Sequence, residues 1–206
     1  MILLHHLNNS RSQRILWLLE ELGVAYTIEH HQRDAKTSLA PPALKAAHPL
    51  GKSPMVEVDG RLISESAAIV EVLCGRYAPN MIPDSQSEAH ITHLELMHFA
   101  EGSAMTPILL GLYTGRLGEA GAPLQPRIQE QLASHFSYME TMIRPSGHFV
   151  LDDLSAADIM MSFPAEIAMR QKRGAELPKL AAFVEWVHAR PAYQRGLERG
   201  GSYAYA

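Results

Sequence analysis

The chain has 206 residues, with 18 Lys and Arg against 22 Asp and Glu and a formal net charge of −4 at pH 7. That length can bury a real core in one large domain or two small ones, and mild acidity without a basic run argues against nucleic acid, whose phosphates call for a positive face. No apolar stretch reaches the about eighteen residues of a membrane span, and "MILLHHLNN" has neither a basic leader nor a long apolar core, so a cytoplasmic protein with no membrane partner is expected.

The first eighty or so residues alternate strand and helix. Ile2 to His6 reads as a short strand, and Ile15, Leu18, Leu19 and Leu22 keep helical spacing until Gly23 ends the run. Tyr26, Ile28 and His30 alternate as a second strand, and "APPALKAAHPLG" holds a short helix between prolines. "MVEVDGRLI" predicts a hairpin, because Asp59-Gly60 is a type I′ turn pair between two β-rich arms. Ser64-Glu65-Ser66 then opens a helix through "AAIVEVLCGRY". The order is βαβ, α, ββα, a small mixed sheet with one parallel pair joined by a crossover helix.

After "APNMIPDSQ" no convincing strand follows. Apolar-periodic stretches run from Ile91 to Leu117, Pro126 to Ile143, Ala156 to Arg170 and Leu180 to Arg190. Three parts are expected: a mixed domain over 1–78, a linker over 79–87, and an all-α domain over 88–206. Within the last, "LSAADI" predicts a capping box between Ser155 and Asp158, with Leu154 and Ile159 as a hydrophobic staple. Pro164 is expected to kink or break the buried helix that follows.

Cys74 is the single cysteine, which excludes a disulfide framework and a CxxC redox pair; its apolar helical setting makes it a core residue. The histidine pairs His5-His6 and His30-His31 lie on probable strands, where neighbours point to opposite faces, and no HxxxH run appears. No metal is expected.

The stretch "LNNSRSQRILWLLEEL" leaves two readings open. Asn8, Asn9, Ser10 and Ser12 can cap the free N–H groups of the helix they precede. Equally, a helix mouth so supplied with donors suits an anion such as a thiolate or carboxylate.

Three motifs together resemble the cytosolic glutathione transferases, in which a thioredoxin-like βαβαββα domain precedes an all-helical domain. They are "NNSRSQRILWLLEELG", "HPLGKSPMVEVDGRLISESAAIVEVL" and "LSAADI", and the likeness is greatest to the serine-type bacterial and fungal group with an "SRS" run before helix one. The resemblance implies glutathione as co-substrate, a cis bond before Pro54, and Ser53 offering its backbone to the cysteinyl part of the tripeptide. Many relatives have Val at that position. It further implies that Glu65 takes the α-ammonium, Ser66 and the helix N-terminus the α-carboxylate, and Lys52 the glycyl carboxylate.

The same resemblance places the loop after the first strand against the sulfur. A free thiol has a pKa near 8.5, and lowering it by about two units, which makes most of it thiolate, corresponds to about 2.7 kcal/mol. Ser10 is the favoured donor and Asn9 the alternative, with Arg11 adding positive charge. The absence of Tyr and Cys from "ILLHHLNN" excludes the tyrosine and mixed-disulfide mechanisms. Met97, Glu101, Met105, Leu109 and Tyr113 recur at i+4 and are candidates for an electrophile pocket, Glu101 also for a site shared across a two-fold homodimer. The function implied is a detoxifying transferase acting on a hydrophobic electrophile or peroxide. Its rivals are a glutathione-dependent lyase or disulfide reductase and a non-catalytic glutathione-binding carrier.

Overall fold

Alternating apolar residues in "ILLHHL" build the strand around which the first unit forms. A computed structural model describes residues 1–206, with β1 (Ile2–Leu7), α1 (Ser12–Leu22), β2 (Tyr26–His31), α2 (Pro42–Ala47), β3 (Met55–Val58), β4 (Arg61–Ser64) and α3 (Ser66–Tyr77) in its N-terminal part. The sheet order is β2-β1-β3-β4, β1 running parallel to β2 and antiparallel to β3. This is the expected thioredoxin-like arrangement. Gly23 closes α1 at φ 61°, and Asp59 and Gly60 at φ 52° and 82° form the expected hairpin turn.

The period of two along β1 divides its side chains between two environments. Ile2, Leu4 and His6 share the face covered by α1 and α3, with Ile15, Leu18, Leu19, Ile69, Val70 and Leu73 buried there. Leu3, His5 and Leu7 point the other way, where Leu7, Leu44 of α2 and Met55 make a smaller apolar cluster. Cys74 is fully buried, as expected of a core residue.

The chain divides into one unit of Met1–Ile82 with Trp186–Ala206 and another of Pro83–Glu185. The division falls after Ile82, and the segment from Trp186 onward groups with the first unit. The reason is α9 (Pro191–Gly200), which packs on α1. Pro191 occupies the first turn of α9, where its missing N–H costs nothing. Tyr193 meets Trp17 edge-on with ring centroids 6.0 Å apart. Arg190 grips Glu21 with Nη2 at 2.9 Å from Oε2, while Arg195 and Arg199 converge on Glu20 at 2.8 and 2.9 Å.

The second unit contains α4 (Glu88–Phe99), α5 (Met105–Gly115), α6 (Gln125–Met142), α7 (Ala156–Arg170) and the part of α8 (Pro178–Ala189) up to Glu185. The single stretch expected from Ile91 to Leu117 is two helices joined by a π turn, Ala100–Ala104, centred on Gly102. The capping box of α7 forms as expected: Ser155 Oγ accepts from the Asp158 N–H, and Asp158 Oδ2 accepts from the Ser155 N–H at 2.7 Å. Asp158 Oδ1 also accepts from the Phe149 N–H at 2.8 Å. Pro164 lies inside α7 without ending it. No helix is long and apolar enough to cross a membrane.

Candidate functional site

Strand register gathers three of the sequence-selected segments at one end of the sheet. His5 pairs with Met55, and Met55 pairs with Ser64. The loop after β1, the Lys52–Pro54 turn before β3 and the Glu65–Ser66 step after β4 therefore leave the sheet at the same edge. The Ser53–Pro54 bond is cis, as the resemblance implied, and Ser53 Oγ donates to the His5 carbonyl at 3.1 Å, tying the turn to the central strand. Lys52 is exposed.

Ser66 is the first residue of α3 and is buried, and Glu65 before it holds φ 70°. A side-chain-bearing residue at positive φ costs of order 1–3 kcal/mol, a strain that concentrates at ligand sites. Glu65 makes no side-chain hydrogen bond to the helix it precedes, so the N-terminal amides of α3 are not closed off by their own cap.

The loop from Leu7 to Ser12 answers the two readings of its sequence in part. Asn8 Oδ1 accepts from the Arg33 N–H at 2.8 Å, and Asn9, at φ 50°, accepts from the Ala204 N–H at 2.8 Å. Both amides thus hold chain segments in place. Ser10 Oγ accepts from the Ser12 N–H at 3.2 Å, an ordinary capping bond, and lies 2.8 Å from Ser12 Oγ. Arg11 is half-buried beside it.

Ser12 and His6 extend this arrangement inward. Ser12 Oγ lies 2.9 Å from His6 Nδ1 and accepts from the Leu7 N–H at 3.1 Å. Burial, then the nearby His30, pushes the His6 pKa down to about 4 against an opposing hydrogen bond to the Gly200 backbone, so the imidazole is neutral at pH 7. With its proton on the nitrogen facing Gly200, Nδ1 is an acceptor, and the single Ser12 hydroxyl proton goes to it or to the Leu7 carbonyl at 3.2 Å. The short contact then requires Ser10 to donate to Ser12, which directs the Ser10 proton inward at rest. In the sequence Ser12 reads as one capping residue among several and His6 as half of a pair. The signal visible for this pairing is a histidine six residues before a serine.

In the helical unit, the row at i+4 does not share one environment. Met97 and Met105 are buried, Glu101 on the π turn and Leu109 are half-buried, and Tyr113 is 55% exposed. Each step of four residues overshoots a helical turn by about 40°, which winds such a row off any single face.

The histidines also differ from expectation in one respect. Neighbours do point to opposite faces, but pairing between the parallel strands sets His5 beside Glu29 and His31 on one face and His6 beside His30 on the other. Partners across two strands, unlike neighbours along one, are set by register.

The comparisons with known proteins agree with this architecture. Residues 10–76 match the family model "Glutathione S-transferase, N-terminal domain", and residues 89–191 match "Glutathione S-transferase, C-terminal domain". The chain is 37% identical to Glutathione S-transferase 3 of Schizosaccharomyces pombe, over 82% of this chain and 75% of that one. It is 28% identical to Glutathione S-transferase 1 of Saccharomyces cerevisiae, over 97% and 95% of the two chains. A crystal structure of a glutathione S-transferase from Actinobacillus pleuropneumoniae superposes with a TM-score of 0.89 at 29% identity, covering 100% of this chain and 95% of that one. A sphingomonad glutathione S-transferase complexed with glutathione shares the fold at a TM-score of 0.78 and 19% identity, over 97% and 98% of the chains. With both halves matched in order, and a relative at 37% identity over 82% of this chain, the chain belongs to the glutathione S-transferase family.

Proposed function

We propose that this glutathione S-transferase binds the tripeptide along Lys52, Ser53, Pro54, Glu65 and Ser66 and stabilises its thiolate with the Ser10 hydroxyl, for attack on a hydrophobic electrophile or peroxide. The observation that carries the reading is the convergence of the three segments at one sheet edge, with the uncapped N-terminus of α3 among them. Ser53, fixed to β1 through His5, would offer its backbone to the cysteinyl unit. The N-terminal amides of α3 and the Ser66 hydroxyl suit the α-carboxylate, Glu65 the α-ammonium, and Lys52 the glycyl carboxylate.

The thiol proton leaves to solvent as the Ser10 hydroxyl turns from Ser12 to the sulfur. Ser12 loses one donor but keeps the Leu7 N–H, so the switch forfeits about 0.5–1.5 kcal/mol and gains a charge-assisted bond of about 1.5–3 kcal/mol. Arg11 adds positive charge nearby, and Asn9, with its oxygen engaged by Ala204, serves the loop. The thiolate then forms its bond to the electrophilic centre while the leaving group departs with its electron pair.

Met97, Glu101, Met105 and Tyr113 are the proposed contacts in the helical unit, Glu101 toward the glutathione of a partner copy. A cytoplasmic, detoxifying homodimer is the accompanying reading, supported by apolar surface at Ile91, Leu94 and Leu112, which are 55%, 42% and 52% exposed. The decisive measurement is ultraviolet difference titration with glutathione at neutral pH. A saturable thiolate band is expected. Calorimetric binding of glutathione without that band would overturn the proposed ionisation.

A further inference from the structure

On the sheet face away from α1, β1 and β2 bring together three groups that sequence separates widely. His5 Nδ1 lies 3.3 Å from His31 Nε2 and 3.4 Å from Glu29 Oε2, and His31 Nε2 lies 3.6 Å from Glu29 Oε1. The imidazoles are 6% and 5% exposed, whereas the Glu29 side chain is 51% exposed. Strand register sets the group, since His5 pairs with Glu29 and Leu7 with His31.

We propose that His5, Glu29 and His31 bind a divalent transition-metal cation of the zinc type, with the fourth coordination position open to water beside Glu29. Tetrahedral coordination with bonds of about 2.0–2.1 Å requires ligand atoms about 3.3–3.4 Å apart, and two of the three separations already have that value. The third is brought in by turning a half-exposed carboxylate. Two imidazoles and one carboxylate are a donor set for zinc and its neighbours, while calcium and magnesium take oxygen. Burial holds both rings in place before the ion arrives, so little side-chain freedom is lost on binding, and the exposed carboxylate provides the way in.

The ion would join the two parallel strands directly beneath the glutathione-site loop. The Asn8 N–H bonds the His31 carbonyl at 3.3 Å, and Ser53 bonds the His5 carbonyl at 3.1 Å. A single proton shared between the two ring nitrogens is the competing explanation of their closeness.

The test is titration of the full, untagged, chelator-treated chain with Co²⁺ followed by its visible bands, with Zn²⁺ displacing it. One ion per chain with bands of tetrahedral intensity, and a rise in melting temperature, are expected. Glu29→Gln, at an exposed side chain, should weaken binding at least about tenfold, since even outer partners of a metal site are worth 10–100-fold. His31→Gln should abolish binding, and His30→Gln, on the other face, should leave it unchanged. Absence of saturable binding in the unaltered chain overturns the proposal, and so does an affinity that Glu29→Gln leaves intact.

Discussion

At Ser10 one hydroxyl serves both a helix cap and the proposed thiolate, and the two roles separate on substitution. Ser10→Ala removes the bond accepted from the Ser12 N–H, a stability loss of about 0.5–2 kcal/mol. If Ser10 also donates to sulfur, kcat/KM falls about 10- to 100-fold while glutathione affinity measured by calorimetry changes little, because the tripeptide's charged ends are held elsewhere. Unchanged turnover with the stability loss alone would leave Ser10 a cap only. Cys74 makes the opposite case of a residue without a role in chemistry. Burial, with Glu71 nearby, pushes its thiol up to about 12, so the folded chain should not react with a thiol reagent at pH 8, and one thiol should appear on unfolding. Prompt reaction in the folded state would mean that α3 opens.

Among the elements, the pairing of α1 with α9 decides more than either helix alone. Gly200 lies where an added Cβ would sit 2.9 Å from Leu16 Cδ1, 3.1 Å from Gln13 Oε1 and 3.2 Å from His6 Nε2. Gly200→Ala should therefore destabilise by about 1–3 kcal/mol, read by chemical denaturation. Gly75→Ala, in α3 with nothing within 4 Å of the added carbon, should stabilise by about 0.5–1 kcal/mol. Equal signs for the two would refute the packing argument. The same helix pair sets an acid response. Burial alone would raise the Glu20 pKa, but the Tyr26 hydroxyl, Arg195 and Arg199 outweigh it and hold the carboxyl below its ordinary 4.5. A depressed carboxyl contributes stability above about pH 4.5 that is lost as pH falls through the folded-state value. The stability gap between the native chain and Glu20→Gln should thus shrink between pH 6 and pH 3.5; a constant gap would show that the pair does not titrate with folding.

For the whole molecule, what the sequence discloses depends on whether a signal is local. β1, α1, the Asp59-Gly60 turn and the Ser155–Asp158 box each rest on neighbours within a few residues and each was legible, whereas the edge around Pro54 came through the family resemblance and is assembled by strand register. The pairing of α1 with α9, the His5–Glu29–His31 group and the Ser10–Ser12–His6 chain depend on register and long-range packing. The consequence is testable on the chain itself, because a helical domain over 88–206 would hold α9, whereas α9 packs on α1. If α9 belonged to the helical domain, a chain ending at Arg190 would keep an intact N-terminal domain. In the structure Trp17 and Tyr193 are both buried and face each other, and removing a buried aromatic side chain costs about 3–5 kcal/mol. That is a large share of a stability of about 5–15 kcal/mol. The shortened chain retains every proposed glutathione contact, yet it should lose glutathione binding and melt at lower temperature, followed by calorimetry and circular dichroism. Binding at full affinity with an unchanged melting temperature would restore the boundary that the sequence suggested and make α9 an appendage of the fold.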